Sequence, residues 1–234
     1  MGFCLMAGPA LATPVSLTAA DGVKITGDFQ APAGPSRGII MLFHMAGSNK
    51  GEYAPIAARL VKDGFATLAI DQRSGGDAFG QRNATVAALG RSTNFLAALP
   101  DLEAALVYAS GKANHGPVII AGSSYSAALV FLLAQKYPGD VAAVMAFSPG
   151  EYLGAALVTG AAKQLRMPIF VTSASNGGEI AEAKTILASS PSTEKVQFVP
   201  KSGVHGASTL REDSNRAGAA ENWAAVEAFL ARFK

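Results

Sequence analysis

A serine within a run of small residues is the feature of this sequence that points most directly to chemistry. Residues 118–130 pass from an apolar, strand-like stretch through Gly-Ser-Ser-Tyr-Ser into an apolar, helix-like stretch. A nucleophile on a tight strand-to-helix turn needs small residues two places before and two places after it, because the backbones approach closely there. Gly122 and Ser126 occupy these places around Ser124. The pattern predicts Ser124 as a nucleophile, although Ser123 or Ser124 could instead simply cap the helix.

A serine hydroxyl is a poor nucleophile unless a base within hydrogen-bond reach takes its proton. The sequence offers three histidines. His115 shortly precedes an apolar run, and His44 lies in the turn Phe-His-Met-Ala-Gly, where its neighbours indicate another task. His205 lies in a glycine-flanked loop after the last apolar run, which is where the base of such a site is found. We therefore predict His205 as the base, the alternative being an exposed loop histidine.

Two glutamates are candidates for the acid that orients His205. Glu179 follows the apolar run ending near residue 172, in a glycine-rich loop that can fold a long side chain inward, and Glu151 follows the preceding run. Asn176 lies nearer the strand end, but an amide cannot stabilise an imidazolium as a carboxylate does. We predict Glu179 and keep Glu151 as the alternative. A carboxylate at position 179 would also suit the first turn of a helix.

Acyl transfer also needs hydrogen-bond donors aimed at the developing oxyanion. One is usually the backbone N–H of the residue after the nucleophile, which is Tyr125 here. The second usually comes from the loop after an early strand, and residues 44–47 occupy that loop. We expect the N–H of Met45 to contribute, with that of Ala46 as the alternative. The other interpretation of residues 44–47 is a plain turn.

The elements that must position these residues alternate along the chain. A polar stretch at 16–30 could hold an antiparallel ribbon. Six apolar runs of strand length follow, at 38–43, 66–70, 118–121, 141–147, 168–171 and 196–199. Helical patterns lie at 53–62, 101–110, 124–137, 179–188 and 222–233. The alternation predicts an α/β fold with a mostly parallel, doubly wound sheet and helices on both faces. Only about one helix fits between residues 148 and 168, so we expect a minimal lid.

In an open parallel sheet, ligands bind at the edge where the strands end. His44, Ser124, Glu179 and His205 all follow predicted strands, whereas His115 precedes one. The sheet order therefore gathers the four former residues at one edge and leaves His115 at the other.

The composition excludes several classes of function. The 234 residues carry 19 basic and 17 acidic side chains, a net charge of +2, without the basic blocks that bind nucleic acid. Cys4 is the single cysteine, so no intramolecular disulfide can form, and no Cys/His cluster has metal-ligand spacing. We predict an enzyme with no metal and no cofactor, which acts on a small-molecule ester. We expect neither a nucleic-acid partner nor a membrane-spanning segment.

The first residues have the character of an export signal. Residues 1–12 form an apolar run ending in Ala-Leu-Ala, the small-x-small form that precedes a cleavage site, although the usual basic start is missing. We predict a truncated or atypical signal peptide at 1–12 and one α/β domain at 13–234. The expected location is periplasmic or secreted, or cytoplasmic if the run is an ordinary apolar terminus.

With these residues in hand, the chain resembles the α/β-hydrolase superfamily, specifically its small members related to dienelactone hydrolases and bacterial carboxylesterases. Residues 44–53, His-Met-Ala-Gly-Ser-Asn-Lys-Gly-Glu-Tyr, are similar to the family's HG-type oxyanion loop, with Met replacing Gly. Residues 71–76, Asp-Gln-Arg-Ser-Gly-Gly, are similar to its D-x-R-G-x-G turn. The resemblance covers nearly the whole mature chain and implies the α/β-hydrolase fold, with Asp71 and Arg73 in structural roles. Dienelactone hydrolases carry a cysteine nucleophile, so their substrate is not expected here.

The expected activity is that of a carboxylesterase-like serine hydrolase working through an acyl-enzyme. A thioesterase or an amidase would use the same residues. The alternative from another class is a non-catalytic binding protein with the hydrolase fold, a possibility raised by Ser126 in the elbow and by the choice between two acids.

Overall fold

One sheet of eight strands organises the computed structural model, which describes residues 12–113 and 116–234. The strands are β1 (Thr13–Thr18), β2 (Lys24–Gln30), β3 (Ile39–Phe43), β4 (Ala66–Ile70), β5 (Val118–Ser123), β6 (Ala143–Phe147), β7 (Ile169–Thr172) and β8 (Lys195–Gln197). Their order across the sheet is β1-β2-β4-β3-β5-β6-β7-β8. The pairs β1–β2 and β2–β4 are antiparallel, and all later pairs are parallel.

The central strands are apolar throughout because both of their faces are buried. Successive side chains of a strand point to opposite faces. In β3, Met41 packs into one core cluster while Ile40 and Leu42 pack into the other. The same alternation holds in β5, where Ile120 and Ile119 belong to opposite clusters. Continuous apolar runs are typical of parallel strands covered on both sides.

Seven α-helices accompany the sheet. They are α1 (Ala54–Lys62), α2 (Ala84–Leu89), α3 (Leu99–Lys112), α4 (Tyr125–Lys136), α5 (Leu157–Ala162), α6 (Gly177–Ser189) and α7 (Ala219–Leu230) in the described part of the chain. Helices α1 and α7 contribute to one core cluster, and α3 to α6 contribute to the other. Each face of the sheet is therefore covered by helices.

The predicted fold class is confirmed, and most predicted elements lie within a few residues of the observed ones. β8 is one residue shorter than expected, and it lies at the edge of the sheet, where it pairs with β7 alone. Helix α2 was not predicted from the sequence. It has only six residues, and it is defined by its caps: the Asn83 side chain accepts from the Val86 N–H, and Gly90 is left-handed. His115 and residues 1–11 of the predicted leader lie outside the described residues.

The connections at the carboxyl edge of the sheet are short where a lid would be inserted. Between β6 and β7 the chain forms only the six-residue α5, as expected for a minimal lid. Within residues 12–113 and 116–234, no helix combines the length and apolarity needed to cross a membrane.

The aromatic core between β6, β7 and α7 generates a prediction about stability. Phe170 is fully buried, and its ring lies 5.5 Å from that of Phe229 and 6.2 Å from that of Phe147. Phe170→Ala should lower the free energy of unfolding by about 3–5 kcal/mol, because it leaves a cavity that the sheet cannot close. Urea unfolding measures this, with Val107→Ala as the control because Val107 is 77% exposed. Equal effects of the two substitutions would contradict this account of the core.

Candidate active site

Ser124 lies on a strained turn between β5 and α4. Its backbone has a positive φ, with φ 58° and ψ −121°, which is unfavourable for a residue with a side chain. A Cβ on Gly122 would lie 2.2 Å from the Ser126 carbonyl oxygen, so only glycine fits there. Ser124 occupies the N-cap position of α4, but its side chain makes no capping hydrogen bond. Its hydroxyl is thus available to other partners.

Ser126 replaces the glycine that usually completes this turn and forms hydrogen bonds of its own. It is fully buried, and its Oγ donates to the His44 carbonyl at 2.6 Å. The same Oγ accepts from Gln72 Nε2 at 2.9 Å. The hydroxyl therefore connects the start of α4 to the ends of β3 and β4, a role that the sequence pattern alone did not reveal.

The structure brings His205 and Glu179 together with Ser124. His205 Nε2 lies 2.7 Å from Ser124 Oγ, and His205 Nδ1 lies 3.2 Å from Glu179 Oε1. A carboxylate beside Nδ1 favours the tautomer that carries its proton there, which leaves Nε2 free to accept the proton of the serine. The three side chains form a continuous chain of polar contacts.

Glu179 reaches His205 from the first turn of α6. The Asn176 side chain caps this helix by accepting from the Glu179 N–H, and its Nδ2 donates back to Glu179 Oε1 at 3.0 Å. The Ala174 N–H donates to Glu179 Oε2 at 3.1 Å. Burial acts to raise the pKa of Glu179, but hydrogen bonds from Ser148, Asn176, Ala174 and His205 outweigh it and lower that pKa. The carboxyl is therefore held in its charged form.

Glu151, the alternative acid, is engaged elsewhere. Its two carboxylate oxygens accept from the backbone N–H groups of Val158 and Thr159, at 2.9 and 2.8 Å. It thus satisfies the first turn of α5, where the helix would otherwise leave amide donors without partners. Of the two glutamates considered from the sequence, the structure brings Glu179 to His205.

The amide expected as the second oxyanion donor has another partner. The Met45 N–H donates to Glu52 Oε2 at 2.8 Å, so it points away from a substrate. Among the described residues, the N–H groups of Ala46 and Tyr125 donate to no other protein group. In the turn after β3, the Ala46 amide, which was the alternative to Met45, is therefore free to donate to a ligand. At the start of α4, the Tyr125 amide is free as well.

His44 holds the turn at residues 44–47 in place through hydrogen bonds to backbone groups, and it takes no part in a proton relay. It is fully buried, its Nδ1 donates to the Met45 carbonyl at 2.8 Å, and its Nε2 accepts from the Gln72 N–H at 3.0 Å. Burial lowers the pKa of His44 to about 4, opposed by its hydrogen bond to Met45 and by Asp71. The ring is neutral near pH 7 and acts as a fixed hydrogen-bonding strut.

The turn that follows β4 has a structural role, as the family resemblance implied. Asp71 is buried, and its carboxylate accepts from the backbone N–H groups of Lys50 and Ala84 at 2.9 Å each. Arg73 forms ion pairs with the buried Asp101 and with Asp21. Neither residue belongs to the chain of contacts at Ser124.

The loop carrying His205 is anchored by Ser148 and Ser123, for which the sequence did not predict this role. The Gly206 N–H donates to Ser148 Oγ at 2.9 Å, and the Ala207 N–H donates to Ser123 Oγ at 2.8 Å. Both serines follow strand positions at the carboxyl edge, which is the signal that could have identified them. Ser123 Oγ in turn donates to Glu52 Oε1 at 2.7 Å.

In residues 12–113 and 116–234, no group of three or more His, Cys, Asp or Glu side chains is arranged to hold a metal ion.

The close packing of Gly206 generates a prediction. Gly206 is left-handed, with φ 72°, and a Cβ there would lie 2.4 Å from Ser123 Oγ. Gly22 is also left-handed, with φ 85°, but a Cβ there meets nothing within 4 Å. Gly22→Ala should cost about 1–2 kcal/mol of unfolding free energy, the price of the left-handed backbone alone. Gly206→Ala should cost more, because the loop must also move away from Ser123.

Chemical unfolding of both variants measures this difference, and a crystal structure of Gly206→Ala should show a longer distance from His205 Nε2 to Ser124 Oγ. Equal unfolding energies with an unchanged distance would contradict the packing argument.

One sequence relative of this chain is a lipase that matches part of it. Over 134 residues, 57% of the chain, the sequence is 27% identical to a monoacylglycerol lipase of Mycolicibacterium smegmatis. The match covers 45% of that lipase, so the chain spans less than half the length of this relative.

Solved structures show the same fold. An esterase of Pyrococcus furiosus superimposes with a TM-score of 0.70 at 19% identity, covering 96% of this chain and 93% of the esterase. A dienelactone hydrolase of Anabaena variabilis superimposes with a TM-score of 0.71 at 18% identity, covering 97% of this chain and 99% of the other. These superpositions confirm the predicted fold.

Residues 34–167 match the family model Hydrolase_4, described as serine aminopeptidase, S33. This match includes the turn at residues 44–47, the turn at Asp71 and the strand-to-helix turn at Ser124, and it ends before Glu179 and His205. The chain therefore belongs to the Hydrolase_4 family of α/β-hydrolases.

Proposed function

We propose that this protein is a carboxylesterase-like serine hydrolase, with Ser124 as nucleophile, His205 as base and Glu179 as the acid that orients His205. The observation that carries the proposal is the chain of contacts from Ser124 Oγ to His205 Nε2, at 2.7 Å, and from His205 Nδ1 to Glu179 Oε1, at 3.2 Å. A nucleophile, its base and an orienting carboxylate in hydrogen-bond reach are the arrangement that acyl transfer requires.

The first half of the reaction forms the acyl-enzyme. Ser124 Oγ attacks the carbonyl carbon of the ester while its proton passes to His205 Nε2. The negative charge of Glu179 stabilises the imidazolium that results. When the tetrahedral intermediate collapses, the bond to the leaving oxygen breaks and His205 Nε2 gives its proton to the departing alcohol. The acyl group remains on Ser124.

The oxyanion of the tetrahedral intermediate needs two donors, and we assign them to the N–H groups of Tyr125 and Ala46. Tyr125 opens α4, so its amide is one of the donors that a helix leaves free at its start. The Ala46 amide belongs to an exposed turn beside the end of β3. Met45, which the sequence favoured, donates to Glu52 and is not used here.

Water completes the cycle by the same two steps, with water as the nucleophile and Ser124 as the leaving group. His205 Nε2 takes a proton from water, the hydroxide adds to the acyl carbon, and Ser124 leaves with the proton returned by His205. Because the chain between β6 and β7 forms only α5, the site is open to solvent, which suits short or soluble esters better than long lipids.

Thioester and amide hydrolysis remain the runners-up within the same chemistry. The matched family model is described as a serine aminopeptidase, and one sequence relative is a monoacylglycerol lipase, so acyl substrates of more than one type occur among similar proteins.

Loss of the nucleophile or the base is the direct test. Ser124→Ala and His205→Ala should each lower kcat for p-nitrophenyl acetate and butyrate by about four orders of magnitude or more, because the two residues act as one unit. A fluorophosphonate should label the wild type and should not label Ser124→Ala. Circular dichroism confirms that each variant is folded.

A wild type that neither hydrolyses these esters nor reacts with the fluorophosphonate would favour the non-catalytic binding protein. Turnover of a thioester or an anilide in place of the esters would keep the three residues and change the substrate class.

The choice of acid has its own matched pair of variants. Glu179→Gln should lower kcat by about 10²- to 10⁴-fold, because an amide cannot stabilise the imidazolium. Glu151→Gln should leave kcat within about three-fold of wild type and cost about 1 kcal/mol of stability, since it weakens only the cap of α5. Steady-state kinetics and urea unfolding separate the two effects, and the reverse pattern in kcat would move the acid to Glu151.

A further inference from the structure

A buried carboxyl group lies behind the proposed active site and has no role in the reaction described above. Glu52 belongs to the 3₁₀ turn Lys50–Tyr53, and its exposed fraction is 0%. Burying a carboxyl group is costly unless it is hydrogen-bonded, so the groups that bond to Glu52 indicate what it does. No ion pair satisfies it among the described residues, and its partners are backbone and hydroxyl groups of the catalytic segments.

The two oxygens of Glu52 join three segments that carry the proposed machinery. Oε2 accepts from the Met45 N–H at 2.8 Å, and Oε1 accepts from Ser123 Oγ at 2.7 Å. Ser123 precedes the nucleophile, and its Oγ also accepts from the Ala207 N–H at 2.8 Å, two residues after His205. The carboxyl group is therefore the common support of the oxyanion turn, the elbow and the histidine loop.

The bond to Met45 determines where the next amide points. The Met45 carbonyl accepts from His44 Nδ1 and from the Ser48 N–H, at 2.8 and 3.3 Å. In a planar trans peptide the Ala46 N–H points opposite to that carbonyl. With the Met45 N–H held by Glu52 on one side and the Met45 carbonyl held on the other, both peptides around this residue are fixed. The Ala46 N–H is left facing outward.

We propose that Glu52 is a positioning residue, which aims the Ala46 N–H at the oxyanion by holding the Met45 amide in the opposite direction. The inference rests on the proposed acyl-transfer function and adds a residue that the triad does not contain. Since oxyanion donors act in the transition state and not in substrate binding, loss of this support should lower kcat and leave KM nearly unchanged.

Arg211 anchors the backbone of the 3₁₀ turn that carries Glu52, which fixes the position of the carboxyl group. Arg211 Nη1 donates to the carbonyls of Glu52 and Gly51, at 2.7 and 3.1 Å, while Arg211 pairs with Asp213.

Burial raises the pKa of Glu52 to about 7, opposed by its hydrogen bonds to Met45 and Ser123 and by the charges of Arg211 and His205. A neutral side chain of the same shape is therefore a close substitute near pH 7.

Two substitutions of similar volume test the proposal. Glu52→Gln keeps an acceptor for Met45 and a group that can donate to Ser123, so kcat for p-nitrophenyl butyrate should stay within about five-fold of wild type. Glu52→Met fills the space without an acceptor, so kcat should fall by about 10- to 100-fold, with KM changed less than three-fold. The rate of fluorophosphonate labelling should fall in parallel in Glu52→Met.

Asp101→Asn is the control for a purely structural loss, because Asp101 is an equally buried carboxylate paired with Arg73. It should lower the unfolding free energy without lowering kcat. If Glu52→Met does not fold, Glu52→Asp tests the same support, because a side chain shorter by one carbon cannot accept from the Met45 N–H at the present distance. It should lower kcat at least three-fold.

A folded Glu52→Met variant with the kcat of wild type, or a Glu52→Gln variant that loses as much kcat as Glu52→Met, would overturn the positioning role. An unchanged kcat in Glu52→Asp would overturn it where Glu52→Met is unfolded. If the wild type shows neither turnover nor labelling, the proposed function itself fails, and with it the role of Glu52. Turnover that depends on Ser124 but not on Glu52 removes the present inference alone.

Discussion

The strained, positive-φ backbone at Ser124 is the constraint on which the rest of the site depends. A residue with a side chain adopts this conformation at a cost, and here the surroundings hold it on every side. Gly122 leaves room for the Ser126 backbone, and Ser126 bonds to the ends of two strands. The turn projects the Ser124 hydroxyl from the end of β5 instead of burying it in the first turn of α4. Every other proposed role at this edge is defined by its distance from that hydroxyl.

Beneath the turn lies a layer of buried polar groups that is as ordered as the apolar core. Glu52, Ser123 and His44 are fully buried, and each side chain bonds to the backbone of a neighbouring segment. Such a network is stable only when its members are satisfied, since an unpaired buried group forfeits its hydration. The layer thereby joins segments that are distant in sequence into one rigid support. Rigidity of this kind is what a preorganised oxyanion site requires.

Glu179 reaches His205 from the first turn of a helix, and the local structure explains how. The residues just after β7 are small or amide-bearing, and the carboxylate comes instead from the first turn of α6. Asn176 caps this helix by accepting from the Glu179 N–H, and its Nδ2 donates to the Glu179 carboxylate. Asn176 thus holds both the backbone and the carboxylate of Glu179. Placement at the helix start also puts the negative charge where the helix dipole favours it. One glutamate can thus serve the helix and the proposed triad together.

The sequence by itself determined the architecture, because runs such as 66–70 and 118–121 are apolar and alternate with helical patterns. A parallel doubly wound sheet satisfies that alternation. It also brought Ser124 and His205 to one edge, since both follow strands. The tertiary structure decided the direction in which individual N–H, hydroxyl and carboxylate groups point. It engaged Glu151 with α5, turned the Met45 amide toward Glu52, and gave Ser126 two partners. A sequence pattern places residues at an edge of a sheet, but only folded neighbours fix where an N–H or a carboxylate points.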